Sequence, residues 1–240
     1  MLAEGHVTAL NRWPVKSMAG QPVDALALDE RGAAGDRAHA LFNRSRPTHP
    51  PRRLTAREAP RMLLWHASYN GADVTPDDVP RPELTAPDGR AFDWDDPALA
   101  GALAEDLGRA VEQRRDLGLM QDLGHTLLVT TQATLDAVGD ALGAELDLRR
   151  FRTNVHVVLD DAPAFAEEDW EGRELTIGEA TFRLLHPCER CVIPTRNPDD
   201  TTKQAEILRW LTHERRGLFG MNARPLHAAR IALGDPVSLR

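Results

Sequence analysis

Prolines and glycines, 17 of each in 240 residues, break this chain into runs too short for long helices. Three stretches keep a helical apolar period. Residues 95–108, DDPALAGALAEDLG, carry aspartate caps, Pro97 near the first turn, Leu99, Leu103 and Leu107 four apart, and Gly108 as a stop. Residues 131–143 begin at Thr131 as N-cap and stop at Gly143; a third helix, TTKQAEILRWLTHERR, sets Ile207, Leu208 and Leu211 on one buried face. The rest reads as strands and turns. HVTALNRWPV, VDALALDERG, MLLWHASY (62–69), VEQRR, TLLVTT and FRTNVHVVLDD are strands, and Ala25, Ala27, Leu26 and Leu28 alternate as if both faces were buried. RELTIGEATFRLL predicts a hairpin about Gly178–Glu179, and ARIALGDPVSLR a second one about Gly-Asp-Pro. The expected fold is mainly β and barrel-like with three short helices. The glycine-punctuated GLMQDLGH places a domain boundary there, dividing 1–118 from 119–240.

Composition removes several function classes. The formal net charge is -8, which argues against a general nucleic-acid binder, since phosphate neutralisation needs a basic face. No run approaches the roughly 18–20 apolar residues of a membrane span. MLAEGHVTAL has neither the basic start nor the apolar core of a secretory signal, so the expected location is cytoplasmic. Of 29 basic residues only Lys16 and Lys203 are lysine. The loop arginines Arg44, Arg46, Arg52 and Arg53 read as a solvated rim that steers anions.

The two cysteines, Cys188 and Cys191, form C-E-R-C just past a strand. A structural zinc site needs four ligands, and His186 with two thiols supplies three at most. A thioredoxin-like pair opens a helix, whereas Pro194 and Pro198 follow this one. A disulfide is disfavoured without export. Spacing leaves two readings open: one thiolate used as a metal ligand or sulfur carrier, and two inert thiols.

Longer motifs carry a resemblance. HPCERCVIPTRNPDD is similar to the C-x-x-C-x-x-x-T-x-x-P-D segment of the MOSC domain, the C-terminal module of molybdenum cofactor sulfurases. RWPVKSMAG resembles the Y-P-V-K-S turn, and LTAREAPRM the T-A-R-x-x-P-R-L segment, of the associated N-terminal β-barrel domain. FRTNVHVVL, FAEEDWEGRELTIGEATFRL and FGMNARPLHAARIALGDPVSLR follow in the family's order. The combination resembles the mitochondrial amidoxime-reducing component and its bacterial relatives.

The resemblance implies two β-rich domains sharing a cleft for the molybdenum cofactor (molybdopterin), with no intrinsic flavin, haem or iron–sulfur cluster. It makes Cys191 the metal ligand and so the catalytic residue; a soft thiolate suits a metal already bound by dithiolene sulfurs. Cys188 takes an accessory place as a small buried residue. Arg152 and Asn154, two apart on one strand face, are assigned to the cofactor phosphate and to the pterin or an oxo group. Lys16 and Ser17 are assigned to the pterin end, Arg37 to the phosphate, and Arg57 to the same positive pocket. Three departures stand out. The family's Asp-Thr-Gly is Asp199-Asp200-Thr201, a serine position between the cysteines holds Glu189, and His125-Thr126 replaces a small hydroxyl pair.

The function implied is a molybdenum-dependent reductase of N-hydroxylated or N-oxide-type small molecules. Two cysteines cannot ligate a cluster and no G-x-G-x-x-G is present, so electrons come from a separate ferredoxin, flavoprotein or cytochrome. The alternative is a sulfur carrier or cofactor-handling protein, with a Cys191 persulfide charged by a cysteine desulfurase. A cofactor-storage protein is a third.

Overall fold

A computed structural model describes residues 3–45, 52–117 and 126–240. In the first half the strands are β1 (Ala3–Arg12), β2 (Gln21–Pro22), β3 (Ala25–Asp29), β4 (Gly32–Ala33), β5 (His39–Asn43), β6 (His66–Ser68), β7 (Glu83–Thr85), β8 (Ala91–Asp93) and, after helix α1 (Leu99–Leu107), β9 (Val111–Arg115). In the second half come β10 (Leu127–Thr131), helix α2 (Gln132–Leu142), β11 (Val155–Leu159), β12 (Glu174–Ile177) and β13 (Ala180–Glu189). Helix α3 (Ala205–Arg215), β14 (Leu218–Pro225), β15 (Ala229–Ala232) and β16 (Pro236–Leu239) complete it.

Seven strands close a barrel in the order β11-β10-β14-β13-β12-β16-β1, with β1 returning to β11. Within the barrel only β10 and β11 run parallel, and α2 supplies the crossover such a pair requires. The stave β1 comes from the first half. A register shift between Val7 and Ala9 on β1 inserts one residue, so Val7 and Leu10 both reach the barrel core. Gly5 lets β1 and β11 meet closely: a Cβ there would lie 1.9 Å from the Val158 carbonyl oxygen. The exchange runs both ways, since β15 pairs with β3. The rest of the first half packs β6, β7, β8 and α1 about Trp65, Leu84 and Leu103. The expected boundary at 118/119 lies outside the described residues.

The mainly β barrel and the three helices are as expected. Thr131 Oγ1 accepts the Thr134 N–H at 3.3 Å, and Gly108 and Gly143 end their helices at φ 66° and 63°. Helix α1 starts later than its aspartates, at Leu99, with Asp96 taking the Ala98 N–H. In α3, Ile207 and Leu211 are buried but Leu208 only half so.

Four local expectations are corrected. Residues 60–64 form a 3₁₀ turn, not the start of a strand, because Pro60 fixes the first turn and sends Met62 and Leu63 into the core. On β3 only Leu26 and Leu28 are buried, so one face is covered. The strand read from Phe151 starts at Val155; residues 148–151 are a 3₁₀ turn. The last segment is no hairpin: β16 pairs with β1 and β12. Val7 carries the β1–β16 ladder into the turn through its own N–H, which donates to Asp235, and its C=O, which accepts from Gly234, while β15 pairs with β3. Among the described residues no helix is long and apolar enough to cross a membrane.

Two histidines are buried neutral. His156 meets Thr130 Oγ1 at 2.7 Å and Gln132 Oε1 at 3.0 Å, and burial pushes its pKa down to about 4. His39 is pushed to about 3 by burial and by Arg115; its Nδ1 lies 3.3 Å from the Pro14 carbonyl, and its buried Nε2 has no acceptor for a second proton. Unfolded histidine takes up a proton below about pH 6.5 while these do not, so stability falls as pH drops from about 6.5 toward 4, by ~1.4 kcal/mol per unit per histidine. The buried carboxyl of Glu167, raised by desolvation, acts with the opposite sign. Urea midpoints at pH 7 and pH 5 should therefore show a smaller drop in His156→Gln than in the wild type.

Candidate functional site

β1 leaves the barrel at Arg12 and runs straight into Trp13, which makes two contacts within its own half and two across to the other. Its N–H donates to Asp36 Oδ1 at 2.8 Å, and its carbonyl accepts the Arg37 N–H at 2.6 Å. Its indole N–H reaches the Thr153 carbonyl at 3.2 Å, and the Arg152 guanidinium lies 4.2 Å over its ring. Arg37 then crosses the seam. Its Nη1 pairs with Asp36 and donates to Asn154 Oδ1 at 3.3 Å, while its Nη2 donates to the Arg152 carbonyl at 3.2 Å. Arg152 answers with Nη1 on the Met18 carbonyl at 2.6 Å.

Backbone strain gathers at the same place. Among the described residues seven non-glycines have positive φ, and three of them are Ser17 (69°), Arg37 (49°) and Arg152 (55°). Each such turn costs about 1–2 kcal/mol in an L-residue and persists only where surrounding contacts impose it. Lys16, half-buried, precedes Ser17 and donates its N–H to the His39 carbonyl at 2.9 Å.

Thus Lys16, Ser17, Arg37, Arg152 and Asn154 share one seam, but two expectations change. Arg152 and Asn154 are not on a strand; Arg152 ends a 3₁₀ turn, and both reach Arg37 through that left-handed bend. Asn154 is fully buried: its oxygen accepts from Leu128 N–H and Arg37, and its Nδ2 donates to the Asn11 carbonyl. Its amide is used within the seam, where it holds Arg37. Arg57 sits exposed on the turn at 56–58, and no hydrogen bond joins it to the others among the described residues. Of the rim arginines Arg46, and of the hydroxyl-pair position His125, lie outside the described residues.

The cysteine turn is braced to the seam by two arginines. Arg190 donates from Nη1 to Cys188 Sγ at 3.1 Å and from Nη2 to the Phe151 carbonyl at 2.8 Å, one residue before Arg152. Arg150, buried on the same 3₁₀ turn, reaches the Pro194 carbonyl at 3.4 Å. Cys188 is therefore half-buried and hydrogen-bonded, not a small buried filler. Cys191 is also half-buried, with a free thiol. Trp13, Asp36, Arg150 and Arg190 escaped the sequence reading; adjacency to Arg37 and Cys191 was an available signal for Asp36 and Arg190, whereas Arg150 lies two before Arg152 and Trp13 three before Lys16.

This donor set suits an anionic, sulfur-rich metal cofactor. Four arginines (Arg12, Arg37, Arg150 and Arg152) and a single carboxylate (Asp36) are the buried charges here among the described residues. Burial lowers the Arg12 pKa against the pull of Tyr69 and Asp36. The Nε atoms of Arg12, Arg150 and Arg190 are buried without hydrogen-bond partners, unspent donors of the kind a bound anion satisfies. Cys191 offers the one thiol of the turn not taken by Arg190. The model of the MOSC domain matches residues 116–238, over half the chain.

The chain belongs to the MOSC family.

The MOSC N-terminal beta barrel domain matches residues 4–95. Curated relatives include mitochondrial amidoxime reducing component 2 of Macaca fascicularis, 32% identical over 30% of this chain and 21% of that protein. Human mitochondrial amidoxime-reducing component 1 is 27% identical over 47% of this chain and 36% of its own length. The chain thus spans about a fifth to a third of these relatives. The crystal structure of the YuaD protein from Bacillus subtilis shares the fold, with a TM-score of 0.53 at 12% identity over 100% of this chain and 97% of that one.

The structure explains one departure from the MOSC pattern. Thr201, at the motif's glycine position, holds a left-handed φ of 64°. Asn197 keeps the bend by accepting the Thr201 N–H at 2.9 Å, and Asp200 takes the Thr202 N–H at 2.8 Å. Relief of strain of about 1–2 kcal/mol outweighs glycine's entropy cost of about 0.5–1 kcal/mol. Thr201→Gly should therefore raise stability by about 0.5–1 kcal/mol in urea titrations.

Proposed function

We propose that this protein is a molybdenum cofactor-dependent reductase of N-hydroxylated or N-oxide-type small molecules, supplied with electrons by a separate donor protein. The observation that supports it best is the joining of two groups of residues. Left-handed Ser17, Arg37 and Arg152 line the seam, and Arg190 ties the cysteine turn to the same bend through the Phe151 carbonyl. The cofactor, when bound, supplies the two-electron redox chemistry.

The chain's own residues do the rest. Cys191 is the soft thiolate that holds the metal. Arg37 and Arg152, with Lys16, hold the phosphate end; a planar guanidinium fork matches phosphate oxygens in direction as well as charge. Trp13 seats the Arg152 guanidinium over its ring, and Asn154 accepts a hydrogen bond from Arg37. Arg190 keeps the Cys188 thiol engaged, which leaves Cys191 as the open ligand. The names of the curated relatives, amidoxime reducing components, favour the N-hydroxylated substrate class.

Protein purified from a cofactor-competent host should contain molybdenum and pterin. Cys191→Ser replaces a soft thiolate by a hard, protonated hydroxyl, so bound molybdenum and benzamidoxime reduction with reduced viologen should fall to background. Cys188→Ser should cost on the order of 1 kcal/mol in stability and keep both. Metal-free protein bearing a Cys191 persulfide would identify a sulfur carrier instead. Equal loss in both variants would identify a redox disulfide.

A further inference from the structure

Asp36 touches the supports of both seam arginines. Its Oδ2 pairs with Arg37 directly, and its Oδ1 holds the N–H of Trp13, the ring on which Arg152 lies. The carboxylate itself has almost no freedom. Asp36 is 1% exposed, and the preceding Gly35 turns at φ 73°, where a Cβ would lie 2.9 Å from the Tyr69 ring. The Tyr69 hydroxyl donates to the Gly35 carbonyl at 2.8 Å and so clamps the turn from its other side.

We propose that Asp36 is a positioning residue that aims Arg37 and Arg152 together at a phosphate group in the seam. This rests on the anion-binding reading of that seam. It also has a sign that distinguishes it from the simpler electrostatic expectation. A carboxylate merely lying near a phosphate repels it, so removing the charge would tighten binding. A carboxylate that aims two forks loses their alignment when removed, and binding weakens. Asparagine can still accept the Trp13 N–H through its amide oxygen, but it cannot form the ion pair with Arg37.

The test titrates inorganic phosphate into the full-length, cofactor-free protein by calorimetry, with urea midpoints as a check on folding. Arg37→Gln should weaken phosphate binding about tenfold, the scale of one charge-assisted bond, and Asp36→Asn about three- to tenfold while still folded. Unchanged or tighter binding in folded Asp36→Asn would overturn the proposal, because a purely structural carboxylate moves the urea midpoint and not the affinity. Unchanged binding in Arg37→Gln would overturn the anion-site reading itself. If Asp36→Asn does not fold, Asp36→Glu keeps the charge and displaces it by one methylene. Weakened binding then supports positioning, and unchanged binding overturns it.

Discussion

Two guanidinium groups and one carboxylate meet where the halves of this chain touch, and each is removed from water. Burying ions is expensive, and the attraction between them repays that cost only when every partner is in place. Asp36 and Arg37, with side chains 0% and 9% exposed, satisfy this through Trp13, Asn154 and the Arg152 carbonyl. The net stability of such a pair is small, but losing one member costs about 3–5 kcal/mol because the other is left uncompensated. The knot therefore specifies geometry more than it adds stability. It imposes the left-handed bends at Arg37 and Arg152, and those bends decide where the arginine forks point. The cysteine turn inherits the same frame through Arg190 and Phe151.

What could be read from residues alone was what short-range chemistry controls. The Thr131 cap, the glycine stops and the hairpin at Gly178 each depend on neighbours within a few positions, and each stands in the structure. The cysteine motif and the V-K-S turn were legible because their spacing is local. Errors arose where partner choice is long-range. Gly-Asp-Pro announces a turn at 234–236, but nothing local says that its arms will pair with different strands, β15 with β3 and β16 with β1 and β12. Pro60 outweighed the β-like composition of the residues after it.

The seam itself was only half legible. Arg37, Arg152 and Asn154 were named by resemblance, yet their arrangement depends on bonds spanning 115 and 117 positions. The assignment of Arg152 and Asn154 to one strand face failed because alternation applies only to extended backbone, and Arg152 is left-handed. Asn154 looked like a ligand-facing amide because a buried asparagine and an exposed one read alike in sequence. Trp13 and Asp36 carry no signature in isolation; their importance lies in what they join.

The borrowed stave has a further consequence, for the order of assembly. β1 stands far from its flanking partners β11 and β16 in sequence; Thr8 and His156, bonded between neighbouring staves, are 148 positions apart. Contacts of such separation form late, since the entropy of closing the loop is lost before they contribute. The Trp65 core, drawn wholly from residues up to Leu107 apart from Val111 and Ile193 at its edge, can condense earlier. Barrel and cleft must wait for the final strand. The seam, which needs Trp13 and Arg37 from one half and Arg152 and Asn154 from the other, is thereby assembled late, after the Trp65 core has already condensed.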